Sequence, residues 1–494
     1  MYIYSMIIDP KTCYQALCAR DPRFDGRFFT AVRTTGIYCR PICPARTPKR
    51  SNVLFFTCAA AAEEAGFRPC RRCRPETAPG TPAWDGTSAI VSRAVRLISQ
   101  GIFDDVDLEK LAERVGVGSR HLRRLFIQHI GVAPRAVVRT QRLHFARQLI
   151  DETDLSMTRI AFAAGFNSIR RFNQAILKSF RASPTELRHT ARRDGYAGGA
   201  LTMRLAYRPP LDWKSLLGFL HTRAIPGVES IENGAYQRSI EVDGKSGIIE
   251  VMPGEDGPYL AVRMKLPPTA RLAQIIDRVR RVFDLSADPV RIADDLGADP
   301  ILGSAVRALP GLRLPGAWDP FELMVRAVLG QQISVKAAST IAGRIVQRFG
   351  RPIAAQSSSR ITHVFPHAEV LRDADLRVIG LTAARARTVR DIATAECNGN
   401  LPHDSSLGLD SVIKSLTAIR GIGEWTAQYI AMRAFGEPDA FPDGDLGLRH
   451  AASNSGALIS NAELKRMAER WRPWRAYAAM YLWGGLGLEK SSER

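Results

Sequence analysis

Between Asp107 and Val115 the apolar residues fall at Leu108, Leu111, Ala112 and Val115, the spacing of a helix with one buried face. Gly116 then supplies a turn, and Ser119 is placed to cap a second helix. The arrangement returns downstream: Ser156 to Ala164 carries Ile160, Ala161 and Ala164, followed by Gly165, Phe166 and a helix that Ser168 would cap. Pro134 and Pro184, at similar offsets, close the two halves. The repeat predicts an all-α segment of paired helix-turn-helix units. Residues 201–285 read differently, with alternating stretches at Ile248 to Val251 and Tyr259 to Met264 and helical runs around Leu216 and Leu272, which predicts a small α+β unit. From Pro289 onward the pattern is helical almost throughout, and Leu416 to Ala427 reads as a helix, a Gly421-x-Gly423 turn and a second helix. Residues 79–87 (PGTPAWDGT) and 191–200 (ARRDGYAGGA) read as linkers. The expected organisation is multidomain, with segments 1–78, 88–190, 201–285 and 286–494.

Length agrees with this, since 494 residues exceed one ordinary core at about 100–200 residues per domain. The formal charge is +20, and its placement matters more than its size. Residues 1–200 hold 32 Lys and Arg against 17 Asp and Glu, a balance of +15, leaving 37 against 32, or +5, for the rest. A basic amino-terminal part points to a polyanion such as DNA, because neutralised phosphates release counterions. No apolar run approaches the ~18 residues of a membrane span. The start, Met1 to Pro10, lacks the layout of a secretory signal, so a cytoplasmic protein with no membrane partner is expected. In a reducing compartment the eight cysteines are read as ligands, nucleophiles or buried thiols.

Four of them form two short pairs, Cys39-x3-Cys43 and Cys70-x2-Cys73. Short loops place both thiolates of a pair on one side of a metal, and two pairs close the four-sulfur shell of one Zn2+. A closed site that only holds the fold and a reactive one share this spacing, and composition does not choose among the four. The surrounding residues, Arg33-Thr-Thr-Gly-Ile-Tyr-Cys39-Arg-Pro and Gly66-Phe-Arg-Pro-Cys70, resemble the amino-terminal domain of the Ada family of methyl-phosphotriester repair proteins over about residues 9–77. The resemblance implies that Cys39 is the methyl acceptor and that Thr35, Arg46 and Arg68 hold the DNA backbone. One further basic contact position of the family is Pro44 here, which implies a weaker or redistributed grip.

The repeated helix-turn-helix, with Gly165-Phe-Asn-Ser followed by Arg170-Arg-Phe, resembles the AraC family of DNA-binding activators. The resemblance implies that the second helix of each unit enters the major groove, presenting Arg120, His121, Arg123 and Arg124 in one and Arg170, Arg171, Asn173 and Gln174 in the other. Promoter DNA is then a partner, as is RNA polymerase if the protein is an activator.

In the last segment the Gly421-x-Gly423 turn would let backbone amides approach a DNA phosphate at a helix amino terminus. Followed by Phe441-Pro-Asp-Gly-Asp445-Leu-Gly-Leu, it resembles the helix-hairpin-helix DNA glycosylase superfamily and its AlkA-type 3-methyladenine branch. Further matches are Leu329-Gly-Gln-Gln-Ile-Ser-Val, Asp212-Trp213, Leu217-Gly-Phe219 and Trp471-x-Pro-Trp474-Arg475, so the likeness spans about residues 201–488. By resemblance Asp445 is the catalytic carboxylate, facing the positive charge that builds on deoxyribose as an N-glycosidic bond breaks. Asp443 is the runner-up, and Asp445 is also placed to cap a helix. Phe219, Trp425, Tyr429 and Trp483 would line a pocket for a flipped base, where aromatic faces favour a cationic alkylated purine by ~0.5–2 kcal/mol. Core packing is the plain alternative for each, Phe219 above all. Gln332 takes the wedge position, where some relatives carry leucine.

Two absences narrow the chemistry. Trp425 stands where the superfamily's lyases carry lysine, which implies a monofunctional glycosylase releasing bases from alkylated double-stranded DNA. The second methyl acceptor of full-length Ada proteins, within Pro-Cys-His-Arg, has no counterpart, because the only cysteine after Cys73 is Cys397 in Ala-Glu-Cys-Asn. The expected whole is a nucleoid-associated bacterial protein joining an alkylation sensor and activator to an excision enzyme. A transcription regulator with an inactive glycosylase-like half is the alternative, against which Asp445 and its aromatic companions argue.

Overall fold

The computed structural model describes residues 8–79, 89–99, 108–190, 201–266, 271–353, 360–404, 406–453 and 458–492. The linkers expected at 79–87, beyond Pro79, and at 191–200 lie outside the described residues, as does Asp107. The chain divides into two compact units: residues 1–209 with 253–280 and 285–287, and residues 210–252 with 281–284 and 288–494.

The first unit opens with α1 (Pro10–Ala19), whose orphan amides are met by Asp9, accepting from Lys11 N at 3.0 Å and Thr12 N at 3.1 Å. Strands β1 (Phe29–Val32), β2 (Ile37–Cys39), β3 (Val53–Phe56) and β4 (Arg68–Pro69) form a sheet in the order β3-β1-β2-β4, with only the β2–β4 pair parallel. Helix α2 (Ala59–Glu64) covers it through Ala59 and Ala62 against Phe29, Ala31 and Tyr38.

An all-α part follows: α3 (Ala89–Ser99), α4 (Leu108–Arg114), α5 (Ser119–Ile130), α6 (Pro134–Glu152), α7 (Met157–Ala163), α8 (Ile169–Phe180) and α9 (Pro184–Thr190). The two helix-turn-helix units are α4–α5 and α7–α8, turning at Gly116 and Gly165 with φ +77° at both. Three details differ from the sequence reading. Gly118, not Ser119, holds the cap position of α5, and Ser119 is its first helical residue. Ser168 does sit at the α8 cap, yet its side chain makes no capping hydrogen bond. Pro134 and Pro184 begin α6 and α9 rather than ending anything, because proline's fixed φ and missing donor suit a first helical position.

Next come β5 (Leu201–Ala206), α10 (Trp213–Arg223), β6 (Glu229–Glu232), β7 (Ala235–Val242), β8 (Lys245–Pro253) and β9 (Tyr259–Lys265). In the first unit β5 pairs antiparallel with β9, and in the second β6, β7 and β8 form an antiparallel meander. The helical remainder is α11 (Leu272–Val282), α12 (Pro289–Leu296), α13 (Gly303–Ala308), α14 (Pro320–Leu329), α15 (Val335–Phe349), α16 (Ala368–Asp373), α17 (Ala383–Cys397), α18 (Leu409–Thr417), α19 (Glu424–Ala434), α20 (Leu446–Ala451), α21 (Asn461–Ala468) and α22 (Arg475–Ser492). Almost every residue of α14 is buried, so the helix is a central strut with α17 and α19 packed on it. The hairpin formed by α18 and α19 turns through Gly421 at φ +89°, where a Cβ would stand 2.2 Å from Thr388 Oγ1. Conformation and close approach both demand glycine there. The fold class is as expected: a small α+β metal-binding domain, paired helix-turn-helices, and an α+β part leading into a helix-hairpin-helix core. Among the described residues no helix is long and apolar enough to cross a membrane.

Candidate functional site

Two sites emerge, one in each unit. In the first, the sheet assembles the cysteines. Cys39 ends β2, and Cys70 follows the β4 strand that pairs with β2, its amide donating to Tyr38 O at 3.0 Å. Cys43 returns on a turn whose amide donates to Arg40 O, and Cys73 follows one turn after Cys70. The sulfurs of Cys39, Cys43, Cys70 and Cys73 all lie within 4.8 Å of one another, with Cys43 Sγ and Cys70 Sγ 4.0 Å apart. A tetrahedron of sulfurs about 2.3 Å from zinc has edges of about 3.8 Å, so the quartet fits one zinc ion. As bare thiols the four oppose one another: hydrogen bonds from Cys43 and Cys70 push the Cys39 thiol up, while bonds from Cys39 hold Cys70 down. A cation is what allows all four to ionise together.

Cys39 is half-buried whereas Cys43, Cys70 and Cys73 are buried. Burial therefore singles out one cysteine where composition did not. Thr35 and Arg46 are exposed and Arg68 is half-buried. At Pro44 the sequence reading missed a neighbour: the Arg20 guanidinium donates to Pro44 O and Ala45 O, both at 3.3 Å. A positive charge thus stands on that loop although the position itself is proline. Arg20 lies at the end of α1, remote in sequence, and only the fold connects the two.

The sheet is wired to the helices. The Tyr38 hydroxyl donates to Glu63 Oε1 at 2.9 Å and lies 3.0 Å from His144 Nε2, while Thr140 of the same helix α6 donates to Glu63 Oε2 at 2.7 Å. Asp151 of α6 pairs with Arg74 at 2.7 Å and Arg147 at 3.1 Å. Arg71, between the ligands Cys70 and Cys73, donates to Phe180 O at the carboxyl end of α8, at 2.9 Å. On α8, Phe172, Ile176 and Phe180 face the core and leave Arg170, Arg171, Asn173 and Gln174 exposed. On α5, Leu122 and Phe126 are buried, Arg120, Arg123 and Arg124 are exposed, and half-buried His121 accepts at Nδ1 from Arg124 at 2.9 Å.

In the second unit Phe219, Gln332, Trp425, Tyr429, Asp445 and Trp483 line one cavity of about 1520 Å³. Asp445 caps α20, its Oδ1 accepting from Leu448 N at 3.0 Å, and the same oxygen accepts from Trp483 Nε1 at 3.0 Å. Among the described residues Oδ2 accepts no hydrogen bond. The capping and cavity-facing roles thus coexist in one carboxylate. Asp443 is absent from the cavity wall and lies 3.8 Å from Lys465, with burial pushing its carboxyl up.

Trp425 and Tyr429, one turn apart on α19, stack with centroids 5.6 Å apart and planes 4° from parallel. Phe219 is neither a core residue nor a bare platform, for Arg223 lies 3.7 Å and Arg433 4.6 Å from its ring centre. Arg433 also donates to Tyr429 Oη at 2.8 Å and to the carbonyls of Pro315 and Gly316. Burial alone would raise the Tyr429 hydroxyl, but Arg433, Arg223 and Arg326 outweigh it and hold it below its usual range.

Gln332 is exposed at φ +57°, a conformation that side-chain-bearing residues seldom adopt. Its neighbour Gln331 fixes the loop, donating to Gly421 O at 2.9 Å and Thr426 Oγ1 at 3.2 Å while its own carbonyl accepts from Arg385. Gly421 therefore faces protein, and Gly423 caps α19 in open space. Trp471 and Trp474 are buried, their indoles donating to Asp299 and Asp295.

Four family models match the chain: the metal binding domain of Ada over residues 12–76, a helix-turn-helix domain over 111–190, the AlkA N-terminal domain over 202–319, and the HhH-GPD superfamily base excision DNA repair protein over 325–476. A protein of Mycobacterium tuberculosis named "Probable bifunctional transcriptional activator/DNA repair enzyme AlkA" is 41% identical over 479 residues, covering 96% of each chain. DNA-3-methyladenine glycosylase 2 of Escherichia coli is 34% identical over 284 residues, 56% of this chain and 95% of that one. Among solved structures, a 3-methyladenine DNA-glycosylase from Archaeoglobus fulgidus superposes with a TM-score of 0.50 at 24% identity, over 57% of this chain and 96% of its own.

Proposed function

Because the chain belongs to the AlkA family of bifunctional transcriptional activator/DNA repair enzymes, we propose that it senses DNA alkylation through Cys39 and excises alkylated bases through Asp445. In this reading residues 1–78 take up the methyl group, 88–190 bind promoter DNA and engage RNA polymerase, and 201–285 with 286–494 form the glycosylase. The protein works on the bacterial nucleoid, in the cytoplasm.

At the first site the Cys39 sulfur attacks the methyl carbon of a phosphotriester. An S–C bond forms, the C–O bond breaks with its electrons left on oxygen, and an ordinary phosphodiester is restored. Zinc, when bound, supplies the positive charge that keeps the sulfurs deprotonated. Thr35, Arg46 and Arg68, joined by Arg20 beside Pro44, hold the flanking phosphates. At the second site Gln332 fills the gap left by the flipped nucleotide, Gly423 presents amides to a phosphate, and Trp425 and Trp483 receive the base. Asp445 faces the sugar as its C1′ becomes cationic. Trp425 offers no amine, so water is the nucleophile and the product is an intact abasic strand.

The observation that carries the reading is the common cavity of Asp445, Trp425, Tyr429 and Trp483, with the carboxylate held by an indole of the same wall. The test is base release from methylated duplex DNA by the intact protein, together with mass analysis of its cysteines. Free 3-methyladenine without strand scission, and one added methyl on Cys39, are the expected results. Strand scission with a borohydride-trapped adduct overturns the monofunctional half, and a methyl on any other cysteine overturns the acceptor assignment.

A further inference from the structure

Helix α6 carries polar side chains where packing would favour apolar ones. Thr140, His144, Gln148 and Glu152 recur at four-residue intervals and so lie along one ridge of the helix. Thr140 and Gln148 are buried, and the His144 side chain is only 13% exposed. The two halves of the ridge have different partners. Thr140 donates to Glu63 Oε2 at 2.7 Å and His144 Nε2 lies 3.2 Å from Glu63 Oε1, so the first half grips the metal-binding domain. Gln148 Nε2 donates to Arg204 O at 2.9 Å, and Glu152 Oε2 accepts from Arg204 N at 3.1 Å. The second half thus satisfies peptide groups of β5, which lies in the part matched by the AlkA N-terminal domain and pairs with β9 on one side only. An open strand edge invites unwanted pairing, and a covering helix is one way to close it.

Two further contacts join the same parts. Asp151, beside Glu152, pairs with Arg74, the residue that follows the ligand Cys73. Burial pushes the Glu152 carboxyl up while the Arg204 amide and the Arg74 charge oppose it, so both partners act on one carboxylate. Arg208, 0% exposed, donates to Ser286 O at 3.0 Å, and a Cβ at Gly26 of the metal-binding domain would stand 3.0 Å from its Nη2.

We infer that the ridge of Thr140, His144, Gln148 and Glu152 is a docking surface that holds the metal-binding domain and the strand edge of the AlkA-type sheet at once, so that β5 opens when the cysteine quartet loses its metal. Each polar group on the ridge is buried with its partner, and releasing one partner leaves the other unsatisfied. A metal that binds only the folded domain stabilises every element that opens with it. Parts joined by the chain alone would open independently, and metal loss would then be silent in β5.

Amide hydrogen exchange should be measured on the full chain without DNA, zinc-loaded and after chelation, so that the result is independent of base release and methyl transfer. Chelation should lower protection of β5 and β9 at least about tenfold and leave the β6–β7 hairpin of the second unit within about twofold. In a Gln148→Ala/Glu152→Ala variant, β5 should already be at least about tenfold less protected with zinc bound, and chelation should add less than about twofold. Should that variant fail to fold, Gln148→Ala alone decides, with an expected loss of at least about threefold in β5 while zinc is bound. Protection of β5 within about twofold after chelation of the intact protein overturns the inference. So does an undiminished chelation effect in the folded variant, which would place the coupling elsewhere. Equal loss in β6–β7 overturns it as well, because global unfolding needs no docking ridge.

Discussion

At the scale of single residues, Asp445 caps a helix and, in the proposed function, faces the sugar, two duties that substitution can separate. Its Oδ1 satisfies the Leu448 amide at the start of α20 and the Trp483 indole, and an asparagine oxygen can accept both bonds. Asp445→Asn should leave thermal stability nearly unchanged yet reduce base release by about 100-fold or more, the scale of removing one preorganised electrostatic stabiliser. Asp445→Ala should lose activity and, in addition, about 1 kcal/mol of stability, because a cap is gone. Calorimetry beside a base-release assay checks both; near-normal release by the asparagine variant would contradict the catalytic role. The hairpin glycines separate in the same way. Gly421→Ala meets Thr388 Oγ1 and a positive φ and should cost about 1–3 kcal/mol. Gly423→Ala finds open space and should be nearly neutral in denaturant titration.

At the scale of elements, the metal-binding sheet and the helix-turn-helix units are joined by particular contacts. Arg71 lies between two metal ligands and bonds the carboxyl end of α8, where a cation also meets the helix dipole. Removing the metal should therefore raise amide exchange in residues 12–76 and also in α8. Arg71→Ala should loosen α8 with the metal still bound, by about 1–2 kcal/mol in exchange protection. Unchanged α8 protection in both experiments would deny the connection. The paired helix-turn-helices, the cysteine quartet and the hairpin were legible in the sequence because each is written in local spacing: period-3.6 apolar faces, two short cysteine pairs, glycines at a turn. Arg20 beside Pro44, Arg71 on α8, Gln331 on Gly421 and the arginines around Phe219 were not. Each joins residues distant in the chain, and an exposed arginine carries no periodicity that announces its partner. Ser119 was misplaced by one residue because a serine beside a glycine signals a cap without saying which of the two occupies it.

At the scale of the whole molecule, the excess of +20 is concentrated in the part that carries Cys39, with 32 basic against 17 acidic residues up to position 200. Binding of that part to DNA should be strongly salt-dependent, since each phosphate neutralised releases counterion. Four thiolates around one zinc ion carry a formal charge of about −2, which opposes the approach of phosphates to the surrounding arginines. Methylation of Cys39 turns a thiolate into a neutral thioether and takes the centre to about −1. The quartet lies in the same compact unit as α5 and α8, with Arg71 running from its ligand loop to α8, so on the proposed function the lost repulsion should act where these helices meet promoter DNA. Methylated protein should therefore bind a native promoter fragment about tenfold more tightly at fixed low salt, with the gain shrinking as salt rises toward 0.5 M because screening removes it. The thioether has no easy reversal, so on the proposed function one molecule should accept once and then persist as a signal. Affinity of unmodified protein, of Cys39-methylated protein and of Cys39→Ala, each across a salt series, is the deciding measurement. Cys39→Ala also removes one thiolate charge, so it should shift in the same direction as methylation if charge is the cause. Equal affinity of the unmodified and methylated forms at every salt would remove the switch and leave the methyl-acceptor chemistry standing.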